Sequence, residues 1–86
     1  MNKIELYDII TLANNEEYTV LEIVAKFEKR YLLLSPVDEN EEPNFDIIKI
    51  VEEINENNKI TIKEVIDESI IVDLSERFLN KLEENN

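Results

Sequence analysis

The stretch KITIKEVIDESIIVDLSERFLNKL, residues 59–82, contains the change of apolar period that decides the fold. In residues 59–63 apolar and polar side chains alternate, which is typical of a β-strand with one buried face. After Asp67 the apolar residues recur at steps of three and four, which places them on one stripe of a helix: Ile71, Leu74, Phe78 and Leu82. We therefore predict strands up to residue 65 and a helix over residues 67–84.

The start of this helix has two interpretations. Asp67 can act as its N-cap, because a carboxylate accepts hydrogen bonds from the free N–H groups of the first turn and suits the helix dipole. Alternatively, residues 69–72 form a sixth strand, Asp73 caps a shorter helix, and Glu76 completes a capping box. The residues alone leave both open.

Upstream of residue 59 the sequence predicts four further strands. The five predicted strands span residues 4–12, 17–27, 31–35, 45–54 and 59–65. Asn-containing turns separate the first and last pairs, since Asn tolerates positive φ, and Glu28-Lys29-Arg30 is the predicted turn between the second and third strands. Tyr31–Ser35 lacks alternation, which indicates a central strand buried on both faces. A change of apolar parity at Val20-Leu21 predicts a bulge there.

These elements predict one α+β domain over residues 1–86, an antiparallel meander of about five strands with one C-terminal helix packed on one face. A chain of 86 residues has no room for a second core. The helical stripe should pack against one set of sheet residues: Ile23, Phe27, Leu33, Ile48, Ile50, Ile60 and Ile62.

Composition excludes several classes of function. The chain has 21 acidic and 9 basic residues, a net charge of −12, and no Gly, His or Cys. Such a charge repels nucleic-acid backbones and anionic membrane surfaces. Without Gly, phosphate-binding loops are not expected, and without Cys or His the usual nucleophile, base and metal ligands are missing. With no signal-like start and no long apolar run, the expected location is the cytoplasm.

An acidic loop between Pro36 and Asn44 is the candidate partner-binding site, with four carboxylates: Asp38, Glu39, Glu41 and Glu42. Oxygen donors at alternate positions imitate the start of an EF-hand. However, Pro43 stands at the sixth position, where Gly is required, and Lys49 at the twelfth, where Glu is required. A calcium-binding module is therefore the weaker hypothesis, and a merely solvated loop is the simplest one. No metal or other cofactor is predicted.

Catalysis finds little support in the residues. Carboxylate pairs could in principle act as acid and base, yet with 21 acids such pairs arise by chance. Ser35, Ser69 and Ser75 have no histidine to activate them. The six aromatic residues are expected in cross-strand packing and not in a base-stacking platform. We predict that the chain is not an enzyme.

The order of features resembles domain-of-unknown-function family 1292, also catalogued as uncharacterised protein family 0473. The resemblance covers nearly the whole chain, and its most specific part is a Tyr, an aliphatic triplet, a small residue, Pro and then acids, in Tyr31–Glu39. It implies a short acidic protein of low-GC Gram-positive bacteria, without an assigned activity. Family members commonly have Gly in the first turn and before the Lys of the second, where this chain has Asn15 and Glu28-Lys29. They also often have an aromatic residue at the position of Ile71.

Three functional hypotheses follow. The leading one is a non-enzymatic interaction domain whose spaced carboxylates imitate phosphates and bind a basic protein surface. The genomic neighbourhood of the resembled family, which includes a nuclease, points to an enzyme that acts on nucleic acid as the partner. The alternatives are an acidic domain whose charge maintains solubility and a carboxylate-based enzyme. If the acidic loop is not the recognition surface, the sheet face left bare by the helix is the next candidate.

Overall fold

The computed structural model describes residues 3–40, 42–44 and 46–84. It has five strands and one helix in chain order: β1 (Ile9–Thr11), β2 (Glu17–Lys26), β3 (Lys29–Pro36), β4 (Lys49–Glu56), β5 (Lys59–Glu64) and α1 (Glu68–Glu84). All neighbouring strands are antiparallel, and their order across the curled sheet is the order in the sequence. This confirms the predicted α+β fold of a five-stranded meander with one C-terminal helix.

The central position of β3 follows from its composition. Residues 31–35 of β3 are all buried. The cluster around α1 covers one face of the strand, and the cluster enclosed by the curled sheet covers the other. The predicted bulge is also present: Val20 pairs with Leu34, and Glu22 with Leu33, so Leu21 is the extra residue of β2. Both predictions from the apolar pattern are confirmed.

Several strand bounds differ from the prediction. The first strand was expected over residues 4–12 but covers only Ile9–Thr11, because residues 6–7 form a turn in which Tyr7 has a φ of 69°. The fourth was expected from residue 45 and begins at Lys49. Phe45 itself lies outside the described residues. The chain before Lys49 instead turns at Asn44, whose side-chain oxygen accepts a hydrogen bond from the Asp46 N–H at 3.0 Å.

Two hairpins use two-residue turns in which both central residues have positive φ, the property of type I′ turns. Asn57 and Asn58, at 50° and 64°, connect β4 and β5. Phe27 and Glu28, at 53° and 64°, connect β2 and β3, so the predicted turn at residues 28–30 was placed one to two residues too late. Neither Phe nor Glu favours the left-handed region, so this hairpin is held by its flanking strands.

The strained hairpin provides a stabilising substitution. Replacing Phe27-Glu28 with Asn-Gly is expected to raise the free energy of unfolding by about 1–2 kcal/mol, because both residues tolerate positive φ. Part of the gain is offset by loss of the contact between the Lys26 ammonium and the Phe27 ring, 4.8 Å from its centroid. Urea unfolding measures the change. The matched variant Asn58→Gly should gain less, since Asn already tolerates this region, and equal gains would contradict the explanation.

The helix begins as the first interpretation predicted. Asp67 Oδ1 accepts hydrogen bonds from the Ser69 N–H at 2.9 Å and the Ser69 hydroxyl at 2.7 Å. These bonds, the hydroxyl bond first, hold the pKa of the Asp67 carboxyl below its usual value. The alternative of a sixth strand at residues 69–72 is wrong, because these residues already lie in α1.

The core has two clusters, one on each face of the sheet. On the helix face Leu74 and Phe78 pack with three buried sheet residues, Val24, Tyr31 and Leu33. On the other face a second cluster is shielded by the curled sheet and by the N-terminal segment: Ile4, Tyr18, Val20, Leu32, Leu34 and Val51.

The predicted core partners of the helix were therefore partly wrong. Leu33 and Ile50 do lie in the helix-face cluster, but Ile23, Ile60 and Ile62 pack in the cluster on the opposite face. The reason is the bulge. Leu21 packs on the helix face, and Glu22 reaches a lysine of α1, so the alternation resumes with Ile23 on the far side. Phe27 and Ile48 are exposed, since one lies in a turn and the other before β4.

A buried ion pair closes the face opposite the helix. Arg30 Nη1 donates to both carboxylate oxygens of Glu53, at 2.9 and 3.1 Å. The Glu53 side chain is fully buried. Arg30 also donates from Nη2 to the Ile4 carbonyl at 2.8 Å. The pair thus joins β3 and β4 and fixes the N-terminal segment over the cluster that contains Ile4.

Candidate functional site

Two sets of polar contacts, eight residues apart on α1, fix the direction of the helix along β2. The Lys26 ammonium, at the end of β2, binds the carboxylate of Asp73, which also accepts from Arg77 Nε at 3.1 Å. These contacts, that of Lys26 first, lower the pKa of Asp73. Eight residues further along the helix, Lys81 donates to the Ile23 carbonyl at 2.7 Å and lies 3.7 Å from Glu22. The helix therefore runs along β2 in the opposite direction and leaves other parts of this face uncovered.

An apolar groove of about 830 Å³ lies on the helix face of the sheet. Its floor is formed by side chains from four strands: Ile9, Thr19, Leu21, Leu33 and Ile50. The C-terminal half of α1 forms a wall with four residues: Ser75, Phe78, Leu79 and Leu82. Tyr7, Pro43 and Ile48, from the connections before β1 and between β3 and β4, complete the lining.

The groove leaves large apolar side chains in contact with solvent. Tyr7, Ile48 and Leu79 are 73%, 46% and 59% exposed. Burying such side chains against a partner is favourable, at roughly 25 cal/mol per Å² of apolar area removed from water. Contiguous exposed apolar surface is typical of binding sites, whereas single exposed residues such as Ile66 are ordinary. The groove is therefore the strongest candidate for a binding surface in the described part of the chain.

The predicted acidic loop lies beside this groove and is ordered by its own hydrogen bonds. Val37 and Pro43 form an isolated bridge, and the Asp38 N–H donates to the Glu42 carbonyl at 3.0 Å. Asp38 Oδ1 accepts from the N–H groups of Asn40 and Glu42, at 2.8 and 3.0 Å. The Asp38 carboxylate thus stabilises the backbone of the loop, while the side chains of Glu39 and Glu42 are exposed. The fourth predicted residue, Glu41, lies outside the described residues.

The charges near the groove are unbalanced. Six of the nine cationic residues are engaged in ion pairs: Lys26, Lys29, Arg30, Lys49, Arg77 and Lys81. Glu76 and Glu83 flank Leu79 on α1 at steps of three and four, which places them beside it on the helix surface. In the β3–β4 connection Glu42 directly precedes Pro43, and Asp46 follows it three residues later. Over residues 3–40, 42–44 and 46–84, none of these four carboxylates has an ion-pair partner.

The acidic loop is visible in the sequence, whereas the groove is not. The groove combines residues far apart in the chain, and its separate members look like ordinary core positions. One signal was present, since a sheet of five strands is wider than a single helix. Strand axes lie about 4.8 Å apart, so five strands span about 19 Å, whereas packed helices are only about 10 Å apart.

Two further features bear on function. Among the described residues, no three carboxylates lie close enough together to hold a metal ion. No helix in that part of the chain is long and apolar enough to cross a membrane.

A small second cavity of about 300 Å³ lies where the β1–β2 turn approaches β4 and β5, with Lys49 and Glu64 at its edge. These two side chains pair with each other at 3.6 Å, which leaves no unbalanced charge for a ligand there.

Comparisons with family models, with curated proteins and with solved structures found no match to this chain. The resemblance to domain-of-unknown-function family 1292 thus stays a prediction.

Proposed function

We propose that this chain is a non-enzymatic protein-interaction domain that binds a basic protein partner. The observation that carries the proposal is the charge distribution around the groove. Most cations are already paired within the fold, while Glu39, Glu42, Asp46, Glu76 and Glu83 are exposed without a counter-ion in the described structure. Lys and Arg side chains of a partner would supply the missing charge and steer association.

The proposed partner is a basic protein surface such as that of an enzyme acting on nucleic acid, and the proposed location is the cytoplasm. Carboxylates held by an ordered loop present negative charge at fixed spacing, as a phosphate backbone does. The order of the loop supports this part of the proposal, because Asp38 fixes the backbone on which Glu39 and Glu42 are carried.

Affinity capture from native cells tests the proposal. The tagged chain is incubated with lysate at low and high salt, and bound proteins are identified by mass spectrometry. The same capture is repeated with Glu39→Gln/Glu42→Gln, in which Asp38 is retained because it orders the loop. The matched control, Glu28→Gln/Glu56→Gln, removes the same charge at two hairpin turns.

We expect a basic partner that is lost at high salt and weakened by the loop variant but not by the control. If binding keeps both its strength and its salt dependence in the loop variant, the acidic loop is not the recognition surface. If no basic protein is retained at low salt, the interaction function is wrong and the charge serves solubility.

A further inference from the structure

From the apolar groove we infer the form of the partner: an amphipathic helix of about three turns, with an apolar stripe that enters the groove and Lys or Arg on its flanks. This inference rests on the proposed function and specifies the partner's binding element. It is carried by three observations, namely the width of the groove floor, the direction of the backbone hydrogen bonds in the strands that form it, and the charge at its edges.

The floor sets the length of the occupant. Its residues come from β1, β2, β3 and β4, so it crosses three interstrand spacings. At about 4.8 Å each this is about 14 Å, close to the 16 Å of three helical turns. A stripe of apolar residues at steps of three and four would then lie over Ile9, Leu21 and Ile50.

The hydrogen bonding of the floor favours a helix over an extended segment. The groove opens on the face of the sheet, whereas the N–H and C=O groups of its strands point within the plane of the sheet, where β3 pairs with both β2 and β4. An extended segment placed there would find no backbone partners, and unpaired buried backbone groups are costly. A helix satisfies its own backbone and offers only side chains to the groove.

The edges of the groove require a basic occupant. Glu76 and Glu83 lie within one helical turn of Leu79 on the helix wall, and Glu42 directly precedes Pro43 in the loop. The two cations of α1 are engaged elsewhere: Arg77 binds Asp73, and Lys81 binds Glu22 and the Ile23 carbonyl. A second copy of the chain, with a net charge of −12, would bring further negative charge to these edges. The complementary occupant is therefore a positively charged helix from another protein.

Three synthetic peptides of about 14 residues, long enough for three turns, serve as probes. The first carries Leu at steps of three and four with Lys on both flanks of the stripe. The second has the same composition in scrambled order, and the third has Glu in place of Lys. Binding is measured by fluorescence anisotropy at low and high salt, and the site is mapped by NMR shift changes.

Groove variants identify the binding surface. Leu79→Gln removes an exposed apolar wall residue and keeps good helix propensity. Its matched control is Ile66→Gln, because Ile66 is 82% exposed and lies outside the groove. Glu76→Gln/Glu83→Gln removes two edge charges, with Glu28→Gln/Glu56→Gln as the control. Circular dichroism checks that each variant keeps its fold.

The first peptide should bind about tenfold more tightly than the scrambled and acidic peptides, with shift changes at Ile50 and Leu79. Leu79→Gln should weaken it about tenfold, as loss of one buried aliphatic contact predicts. Glu76→Gln/Glu83→Gln should flatten the salt dependence, and neither control should change binding. Equal binding of the scrambled peptide, or no effect of Leu79→Gln, overturns the helix-in-groove inference while leaving a purely electrostatic interaction domain.

Two other results also overturn the inference. If none of the peptides binds at low salt, the groove does not accept a basic helix, and the lysate capture then judges the interaction function separately. If the chain forms a dimer in sedimentation experiments that Leu79→Gln disrupts, the occupant is a second copy of the chain.

Discussion

Phe78→Ala is expected to lower the free energy of unfolding by about 3–5 kcal/mol, the range for removing a fully buried aromatic side chain. Phe78 is 1% exposed and packs with Leu74 between α1 and the sheet residues Val24, Tyr31 and Leu33. A domain of this size has a total stability of roughly 4–10 kcal/mol. The variant should therefore be largely unfolded or close to it at 25 °C, as measured by urea titration of the helical circular dichroism signal.

The adjacent residue provides the control. Leu79 is on the same turn but 59% exposed, so Leu79→Ala should lower stability by less than about 1 kcal/mol. The difference between the two variants measures how firmly α1 is packed on the sheet. If Phe78→Ala proves as mild as Leu79→Ala, the helix does not form part of the core, and the described groove has no wall.

The second large effect is expected at the buried ion pair. Arg30→Met should lower the free energy of unfolding by about 3–5 kcal/mol, because it leaves the buried Glu53 carboxylate without its charge partner. It also removes the donor to the Ile4 carbonyl and so loosens the N-terminal segment. Asn55 Nδ2, which donates to Glu53 at 2.8 Å, remains but carries no charge.

The double variant Arg30→Met/Glu53→Leu separates unpaired charge from lost packing. Removing both charges should recover most of the stability, since a buried ion pair is often replaceable by apolar residues of similar volume. Urea unfolding of the two single variants and the double variant completes the cycle. A double variant as unstable as Arg30→Met alone would show that the loss comes from detachment of the segment around Ile4.

The architecture was predictable because local patterns agreed with it. Alternation at residues 59–63, the helical stripe after Asp67 and the continuous apolar run at Tyr31–Ser35 each act within one element. Which side chains of β2 lie on the helix face was not predictable in detail, because a bulge shifts every later residue to the other face of the sheet. Its position at Leu21 depends on pairing with Leu33 and Leu34 of the next strand.

The candidate site was only half predictable. The acidic loop is visible in the sequence because its carboxylates are consecutive, and the structure adds that Asp38 orders it. The groove depends on which strip of the sheet α1 covers, and that is set by contacts over long sequence distances, such as Lys81 with Ile23. The turn at Phe27-Glu28 was displaced for a similar reason: strand register overrides the conformational preference of both residues.

The sequential strand order implies a particular sequence of folding events. Each strand pairs with its neighbour in the chain, so two of the hairpins can close loops of two residues at small entropic cost. Hairpins of this kind form within microseconds. The helix is different, because its contact with the sheet joins Lys26 to Asp73, 47 positions apart. We therefore expect the meander to assemble early and the docking of α1 to be the late, rate-limiting step.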